Sequence, residues 1–251
     1  MVYKWDLHIP KLSPELSRRA YLYLPAGYDE QPDRRFPVMY MFDGHNVFFD
    51  EDATYGKSWG MARYLDETQT PLIVAAVECN SIGNNRLEEY CPFTCEDPKL
   101  GIIRGRGRAT MNWFVHEFKP MIDANIRTLS DRSNTFICGS SMGGLMSLYA
   151  ATAFNATFGK AACLSPSLWL GAGKMRRIIN QADIAPDTLI YIDYGGEEMA
   201  NHTANLSALT SCSTALLKKG VDLTFRIAPG GTHCEASWER QIPVFMKCLG
   251  F

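Results

Sequence analysis

Short apolar runs bounded by turn residues recur along the chain and predict buried strands. These predicted strands cover residues 38–42, 72–77, 135–138, 189–193 and 224–228, and an alternating segment over residues 18–25 predicts a strand at a sheet edge. Apolar residues recur at helical spacing in segments 110–129, 145–154, 204–219 and 234–248. Pro120 lies inside the first of these predicted helices, which we expect it to kink or split.

The order of these elements predicts an α/β fold. Early antiparallel strands followed by alternating strands and helices indicate a mostly parallel central sheet with helices on both faces. The 251 residues are 46% hydrophobic, which is enough to build one large core. Because no internal repeat or linker divides the chain, we expect a single domain over residues 1–251.

Charge and composition argue against several classes of partner. The formal net charge is −2, without the basic excess that would indicate nucleic acid, and no apolar stretch approaches the roughly 20 residues of a membrane span. The first residues lack the apolar run of a signal peptide, so we expect a cytoplasmic protein. Cys91 and Cys95 are the only close pair among eight cysteines, and no second ligand pair lies at zinc spacing. We therefore expect neither a metal nor a cofactor.

The sharpest motif is Gly-Ser-Ser-Met-Gly over residues 139–143, which fits G-x-S-x-G with Ser141 at its centre. A predicted strand leads into the motif and a predicted helix leads away from it, as a nucleophilic serine on a tight turn requires. The backbone amide of Met142, at the helix start, would face the oxyanion that forms when Ser141 attacks a carbonyl. Ser140 has the wrong spacing to the glycines.

A nucleophilic serine needs a base to accept its proton, and the chain has five histidines. We predict that His233 is the base, because it follows the last predicted strand and because the order serine, acid, histidine is typical of this motif. His8 precedes most of the sheet, His116 lies in mid-helix, and His202 lies in a loop or at a helix start. His45 lies in a loop after an early strand, where its backbone amide would supply the second oxyanion donor.

The acid of the triad is expected between the serine and the histidine, just past the end of a strand. Residues 189–193 form such a strand. Three carboxylates lie at or after its end: Asp193, Glu197 and Glu198. Position relative to the strand leaves all three open as the acid.

Six segments of the chain together resemble the putative-esterase family of α/β-hydrolases. They are residues 38–48, 85–92, 118–123, 127–129, 138–145 and 233–238. The family includes enterochelin esterases, feruloyl and acetylxylan esterases, and S-formylglutathione hydrolases. The resemblance runs from about Tyr21 onward and implies an α/β-hydrolase fold with esterase activity that needs no metal or cofactor.

The same resemblance ranks the acids, because in the family the acid comes three residues after a glycine that ends a strand. Gly195 therefore favours Glu198, although many relatives carry aspartate at this position. The resemblance also implies four residues near the substrate: Arg86, Glu89, Tyr90 and Trp238. A loop-holding ion pair and core packing would explain the same four residues.

Together these residues predict hydrolysis of a carboxylic ester through an acyl-enzyme, with Ser141 as nucleophile, His233 as base and Glu198 as acid. The expected partner is a small-molecule or carbohydrate-linked ester, such as an acetyl, feruloyl or siderophore ester. Acyl transfer to an alcohol and thioester hydrolysis are alternatives that use the same residues. A non-catalytic binding role is a third alternative, disfavoured because both the serine and the histidine are present.

Overall fold

The computed structural model describes residues 1–198 and 202–251, apart from the side chain of His202. The strands are β1 (Val2–Ile9), β2 (Ser13–Tyr23), β3 (Val38–Met41), β4 (Ile73–Val77), β5 (Cys95–Asp97), β6 (Gly101–Ile103), β7 (Thr135–Ser140), β8 (Lys160–Leu164), β9 (Leu189–Gly195) and β10 (Asp222–Ala228). The α-helices are α1 (Met61–Thr68), α2 (Asn85–Glu89), α3 (Gly107–Trp113), α4 (Lys119–Asn125), α5 (Met142–Ala153), α6 (Ala172–Gln181), α7 (His202–Lys218), α8 (Glu235–Glu239) and α9 (Ile242–Cys248).

The central sheet has the strand order β1-β2-β4-β3-β7-β8-β9-β10. From β4 to β10 in this order, neighbouring strands are parallel. In contrast, β2 pairs antiparallel with both β1 and β4. Strands β5 and β6 form a separate antiparallel hairpin. The α/β fold with a mostly parallel sheet and antiparallel N-terminal strands is confirmed.

The buried strands send alternate side chains to two hydrophobic clusters on opposite faces of the sheet. In β3, Tyr40 belongs to one cluster, whereas Met39 and Met41 belong to the other. Side chains from α3 to α7 complete the first cluster, and side chains from α1, α8 and α9 complete the second. Helices therefore cover both faces, as predicted. None of the described helices is long and apolar enough to cross a membrane.

The prediction of an edge strand over residues 18–25 is wrong, because β2 lies between β1 and β4. The edge strand at this end of the sheet is β1, in which half-buried Trp5 and Leu7 alternate with exposed polar residues. Strand β8 is also not predicted, since its Ala-Ala-Cys sequence offers few β-branched or aromatic residues.

The predicted helix over residues 110–129 is built as three segments. A π-helical stretch, Phe114–Phe118, separates α3 from α4, and the amide of Lys119 donates to the carbonyl of Phe114. Pro120 has no N–H for the carbonyl four residues earlier, so a regular α-helical turn cannot be completed there. The last segment ends at Asn125, because the following residues are extended and pair with the chain beside Phe36. The helix predicted over residues 234–248 is likewise divided into α8 and α9.

A buried ion pair attaches α2 to β2. The guanidinium of Arg18 donates to both carboxylate oxygens of Glu89, at 3.0 and 2.8 Å, and also to the Glu78 carbonyl. Only 1% of the Arg18 side chain and 7% of the Glu89 side chain are exposed. Because α2 carries Arg86 on its first turn, this ion pair fixes the helix that reaches the candidate site described below.

Replacing Glu89 with alanine is expected to destabilise the fold strongly, because it leaves the Arg18 charge buried without its partner. We expect Glu89→Ala to lower the free energy of unfolding by about 3–5 kcal/mol in urea titrations. Glu88→Ala, on the same helix but half-exposed, is the matched control and should cost less than about 1 kcal/mol. Equal losses for the two variants would contradict the structural role of the ion pair.

Candidate active site

The residues of interest converge at the carboxyl ends of parallel strands. Ser141 directly follows β7, and Glu198 and His233 follow β9 and β10. His45 follows β3, which pairs with β7 in parallel register. In open parallel sheets this edge is where loops form a ligand-binding crevice. The sheet topology thus brings together residues that are far apart in sequence.

Ser141 occupies a strained turn between β7 and α5, with φ 57° and ψ −118°. The turn is tight because backbone packs on backbone: a Cβ atom on Gly139 would lie 2.7 Å from the carbonyl carbon of Gly143. A Cβ atom on Gly144 would lie 2.6 Å from the carbonyl oxygen of Leu164 in β8. A non-glycine residue with positive φ of this kind is found where surrounding packing holds it and where function requires it.

The side chains of Ser141, His233 and Glu198 form one hydrogen-bonded chain. Nε2 of His233 lies 2.9 Å from Oγ of Ser141, and Nδ1 of His233 lies 2.9 Å from Oε2 of Glu198. The Glu198 side chain is only 1% exposed, whereas that of His233 is 25% exposed. The buried carboxylate therefore orients the ring, and the opposite ring nitrogen faces the serine hydroxyl at the cleft.

Glu198 is itself held in place by two donors to Oε1. The backbone amide of Gly195 donates at 2.8 Å, and the hydroxyl of Ser165 is the second donor. Ser165 also accepts a 3.1 Å hydrogen bond from Nε1 of Trp238. Sequence reasoning did not identify Ser165, which directly follows β8 and adopts a left-handed φ of 44°.

The two other candidate acids lie elsewhere. Asp193 is 1% exposed, and its carboxylate accepts from the hydroxyl of Tyr191 and the amide of Ser165. Burial raises the pKa of Asp193 to about 7. Glu197 is exposed, and its backbone amide donates to Gly231. Of the three carboxylates, Glu198 is the one that contacts His233.

The turn after β3 lies against the start of α5. Asp43 adopts a left-handed conformation with φ 55°, and a short 3₁₀ turn, Gly44–Asn46, follows. Gly44 packs so closely on β4 that a Cβ atom would lie 2.9 Å from the Val77 backbone. A Cβ atom on Gly143, in the first turn of α5, would lie 3.2 Å from Oδ2 of Asp43. This contact brings the segments that carry the amides of His45 and Met142 next to each other.

Arg86 fixes this turn through a two-pronged ion pair. Its Nε and Nη2 donate to the two carboxylate oxygens of Asp43 at 2.7 and 2.8 Å. Burial would raise the pKa of Asp43, but the adjacent Arg86 charge outweighs burial and lowers it. The amide of Asp43 donates to the hydroxyl of Tyr90 at 3.3 Å. Both α2 and the residue after it therefore hold the Asp43 turn.

The four residues that the resemblance placed near the substrate have different positions. Arg86 and Trp238 line the cleft in front of Ser141. The Glu89 carboxylate is bound by Arg18 instead, and Tyr90 is 1% exposed behind the Asp43 turn. Their positions do not support the prediction that Glu89 and Tyr90 contact substrate.

A cleft of about 440 Å³ opens in front of Ser141 and His233. Most of the residues that line it carry polar groups, and they include the His45–Asn46 turn, Thr54, Tyr55, Asn80, Ser81 and Glu235. Glu235 was not predicted from the sequence, although it lies two residues after His233. Its carboxylate accepts a 3.3 Å hydrogen bond from Nδ2 of Asn46, and burial raises its pKa.

One group of potential metal ligands adjoins the cleft. Ligand atoms of Asp43, His45 and Cys79 all lie within 4.8 Å of one another. However, Asp43 already binds Arg86, and the Cys79 thiol is hydrogen-bonded to the same carboxylate. Burial and the Asp43 charge raise the pKa of Cys79, which opposes the thiolate form that binds metals. Asp43 and Cys79 therefore already have partners within the protein.

The sheet, the covering helices and the serine turn define an α/β-hydrolase fold. The sequence profile of the Putative esterase family matches residues 13–247, so the chain belongs to this family. Uncharacterized protein YbbA of Bacillus subtilis (strain 168) is 25% identical over 185 residues, which cover 72% of this chain and 69% of YbbA. Family membership supports assignment of the chain as a carboxylic ester hydrolase.

Two solved structures illustrate the likeness in fold. An IroE-like serine hydrolase from Shewanella oneidensis superposes with a TM-score of 0.74 at 18% identity, over 95% of this chain and 77% of that chain. The S-formylglutathione hydrolase FrmB from Staphylococcus aureus gives a TM-score of 0.69 at 16% identity, over 100% of this chain and 96% of that chain. At these identities the likeness concerns the fold.

The close packing of Gly195 on the loop before His233 provides a test of this geometry. A Cβ atom on Gly195 would lie 2.4 Å from the Gly231 carbonyl oxygen and 2.8 Å from Oε1 of Glu198. We expect Gly195→Ala to lower the free energy of unfolding by about 1–3 kcal/mol in denaturant titrations. In Gly196→Ala the Cβ atom would lie 3.4 Å from its nearest neighbour, the carbonyl oxygen of Ala228. This variant should change the free energy of unfolding by less than about 0.5 kcal/mol. Identical stability of the two variants would contradict the packing described here.

Proposed function

We propose that this esterase-family protein is a serine hydrolase of carboxylic esters. In this proposal Ser141 is the nucleophile, His233 the general base and Glu198 the acid of the triad. The observation that carries it is the continuous chain of two 2.9 Å hydrogen bonds from the serine hydroxyl to the buried carboxylate. A neutral serine needs such a base, and the base needs a partner that fixes its tautomer and stabilises its charge.

The proposed reaction has two halves. His233 takes the hydroxyl proton while Oγ of Ser141 attacks the ester carbonyl, and the imidazolium then returns the proton to the leaving alcohol. The amides of Met142 and His45 stabilise the oxyanion of the tetrahedral intermediate. Water enters, His233 removes its proton, and the resulting hydroxide attacks the acyl-enzyme; the imidazolium then gives the proton to Oγ of Ser141 as the acid is released.

The proposed substrate is a small-molecule or carbohydrate-linked ester. Support comes from the cleft of about 440 Å³, which has room for a small acyl or alcohol group beside the serine. Polar cleft residues such as Asn80 and Ser81 provide donors and acceptors for hydroxylated substrates. Product analysis with an added alcohol separates hydrolysis from acyl transfer, because only transfer forms a new ester.

Covalent labelling tests the nucleophile. A fluorophosphonate should label the wild-type protein at Ser141, because the probe requires a serine activated by a base. Ser141→Ala should abolish labelling and reduce kcat by at least about 10³-fold. Ser140→Ala, on the adjacent residue, should keep the wild-type labelling and kcat. Absence of labelling in folded wild-type protein would exclude the serine mechanism.

Two substitutions distinguish the acid from its neighbour. Glu198→Gln keeps the side-chain size but removes the charge that stabilises the imidazolium, so kcat should fall by about 10³-fold. Asp193→Asn is the matched control, and kcat should change by less than about threefold because this carboxylate does not contact His233. A larger loss in Asp193→Asn than in Glu198→Gln would contradict the assignment of the acid.

A further inference from the structure

Glu235 is a second carboxylate in the catalytic cleft that the proposed triad does not use. It is the first residue of α8, directly after the loop that carries His233. The residue is 6% exposed, yet it lines the same cleft as Ser141, His45 and Arg86. Burying a carboxylate at this depth is costly unless a partner compensates for the lost hydration.

The carboxylate of Glu235 accepts from two uncharged donors, the side chain of Asn46 and its own backbone amide. Its hydrogen bond from Asn46 is 3.3 Å long, and the amide of Asn46 is neutral. The Asn46 side chain is held in this orientation, since its Oδ1 accepts from the amide of Thr54 at 3.0 Å. Arg86, a cation that lines the cleft, is already bound through two nitrogens to Asp43. Glu235 therefore presents a negative charge that the Arg86–Asp43 pair does not offset.

We propose that Glu235 is a specificity-determining residue that favours esters bearing a hydrogen-bond donor, either a hydroxyl or an ammonium group, and disfavours esters bearing a carboxylate. A buried anionic acceptor strengthens the binding of a substrate that donates to it and weakens the binding of one that carries a negative charge. Low-dielectric walls around a single charge concentrate its field on whatever enters the cleft. This inference rests on the proposed function, because it assigns selectivity to the same site.

Two matched series of esters test this selectivity. The alcohol-side series consists of phenyl acetates that carry a methyl, hydroxymethyl, aminomethyl or carboxylate group at the para position. The acyl-side series consists of 4-nitrophenyl esters of propanoate, 3-hydroxypropanoate, 3-aminopropanoate and succinate. Comparison of kcat/KM between wild-type protein and Glu235→Gln cancels the intrinsic reactivity of each ester. Glutamine keeps the size and one acceptor oxygen, so the variant removes the charge and replaces the second acceptor oxygen with an NH2 donor.

In wild-type protein we expect the ammonium ester to be preferred over the carboxylate ester in at least one series. In Glu235→Gln that preference should fall by about tenfold, while the methyl or propanoate ester changes by less than about twofold. If kcat/KM also falls for the hydroxyl ester, Glu235 acts by accepting a hydrogen bond from the substrate. If kcat/KM falls for the ammonium ester alone, Glu235 acts through its charge. Either result supports the proposal. Glu239→Gln is the control, because Glu239 lies on the same helix but pairs with Lys57 and Arg63 outside the cleft.

Several results would overturn the role of Glu235. One is an unchanged preference in both series, and another is a wild-type preference for the carboxylate ester, which would assign selectivity to Arg86. An equal loss of kcat/KM with the uncharged ester would show that Glu235 maintains the structure of the site and does not determine its selectivity. Failure of wild-type protein to hydrolyse any ester would instead remove the proposed function, so the two failures are distinguishable.

Discussion

The site depends on the close backbone contact between the end of β7 and the start of α5. A Cβ atom on Gly139 would lie 2.7 Å from the carbonyl carbon of Gly143, and one on Gly143 would lie 3.0 Å from Cβ of Phe42. Within this tight turn Ser141 adopts its positive-φ conformation. The same helix start packs on the Asp43 turn, so Ser141 and the segments that carry the amides of Met142 and His45 lie next to each other.

Around this contact, the remaining groups are held by polar interactions of buried residues. Arg86 clamps the Asp43 turn, and the Arg18–Glu89 ion pair holds the helix that carries Arg86. Loss of one partner in such a buried pair costs more than an exposed ion pair contributes, because the other charge stays desolvated. The region in front of Ser141 is thus braced by two linked ion pairs, Arg86–Asp43 and Arg18–Glu89.

The sequence predicted the parts of the site that have a local pattern. Ser141 is marked by its glycines and by the strand and helix around it, and His233 by its place after the last strand. Glu198 needed the family resemblance, because three carboxylates near one strand end look alike in sequence. Ser165 and the partner of Glu89 could not be predicted, since each contact joins residues 33 or 71 positions apart in the chain. Periodicity carries no information on such pairings, which depend on how strands are ordered in the sheet.

Trp238 contacts both Ser165 and His233, so it affects more than one side chain of the site. Its indole donates to Ser165, which donates to Glu198, and its ring meets His233 edge-on at 5.0 Å. The part of the cleft wall that contains Trp238 is therefore connected by noncovalent contacts to Ser165, Glu198 and His233. The lining also contains Tyr55, which is 82% exposed, and Gly83, where an added Cβ atom would meet no other atom within 4 Å. The positive φ of Gly83, +53°, favours glycine there, whereas a side-chain change at Tyr55 can alter the cleft without disturbing the contacts of Trp238 with Ser165 and His233.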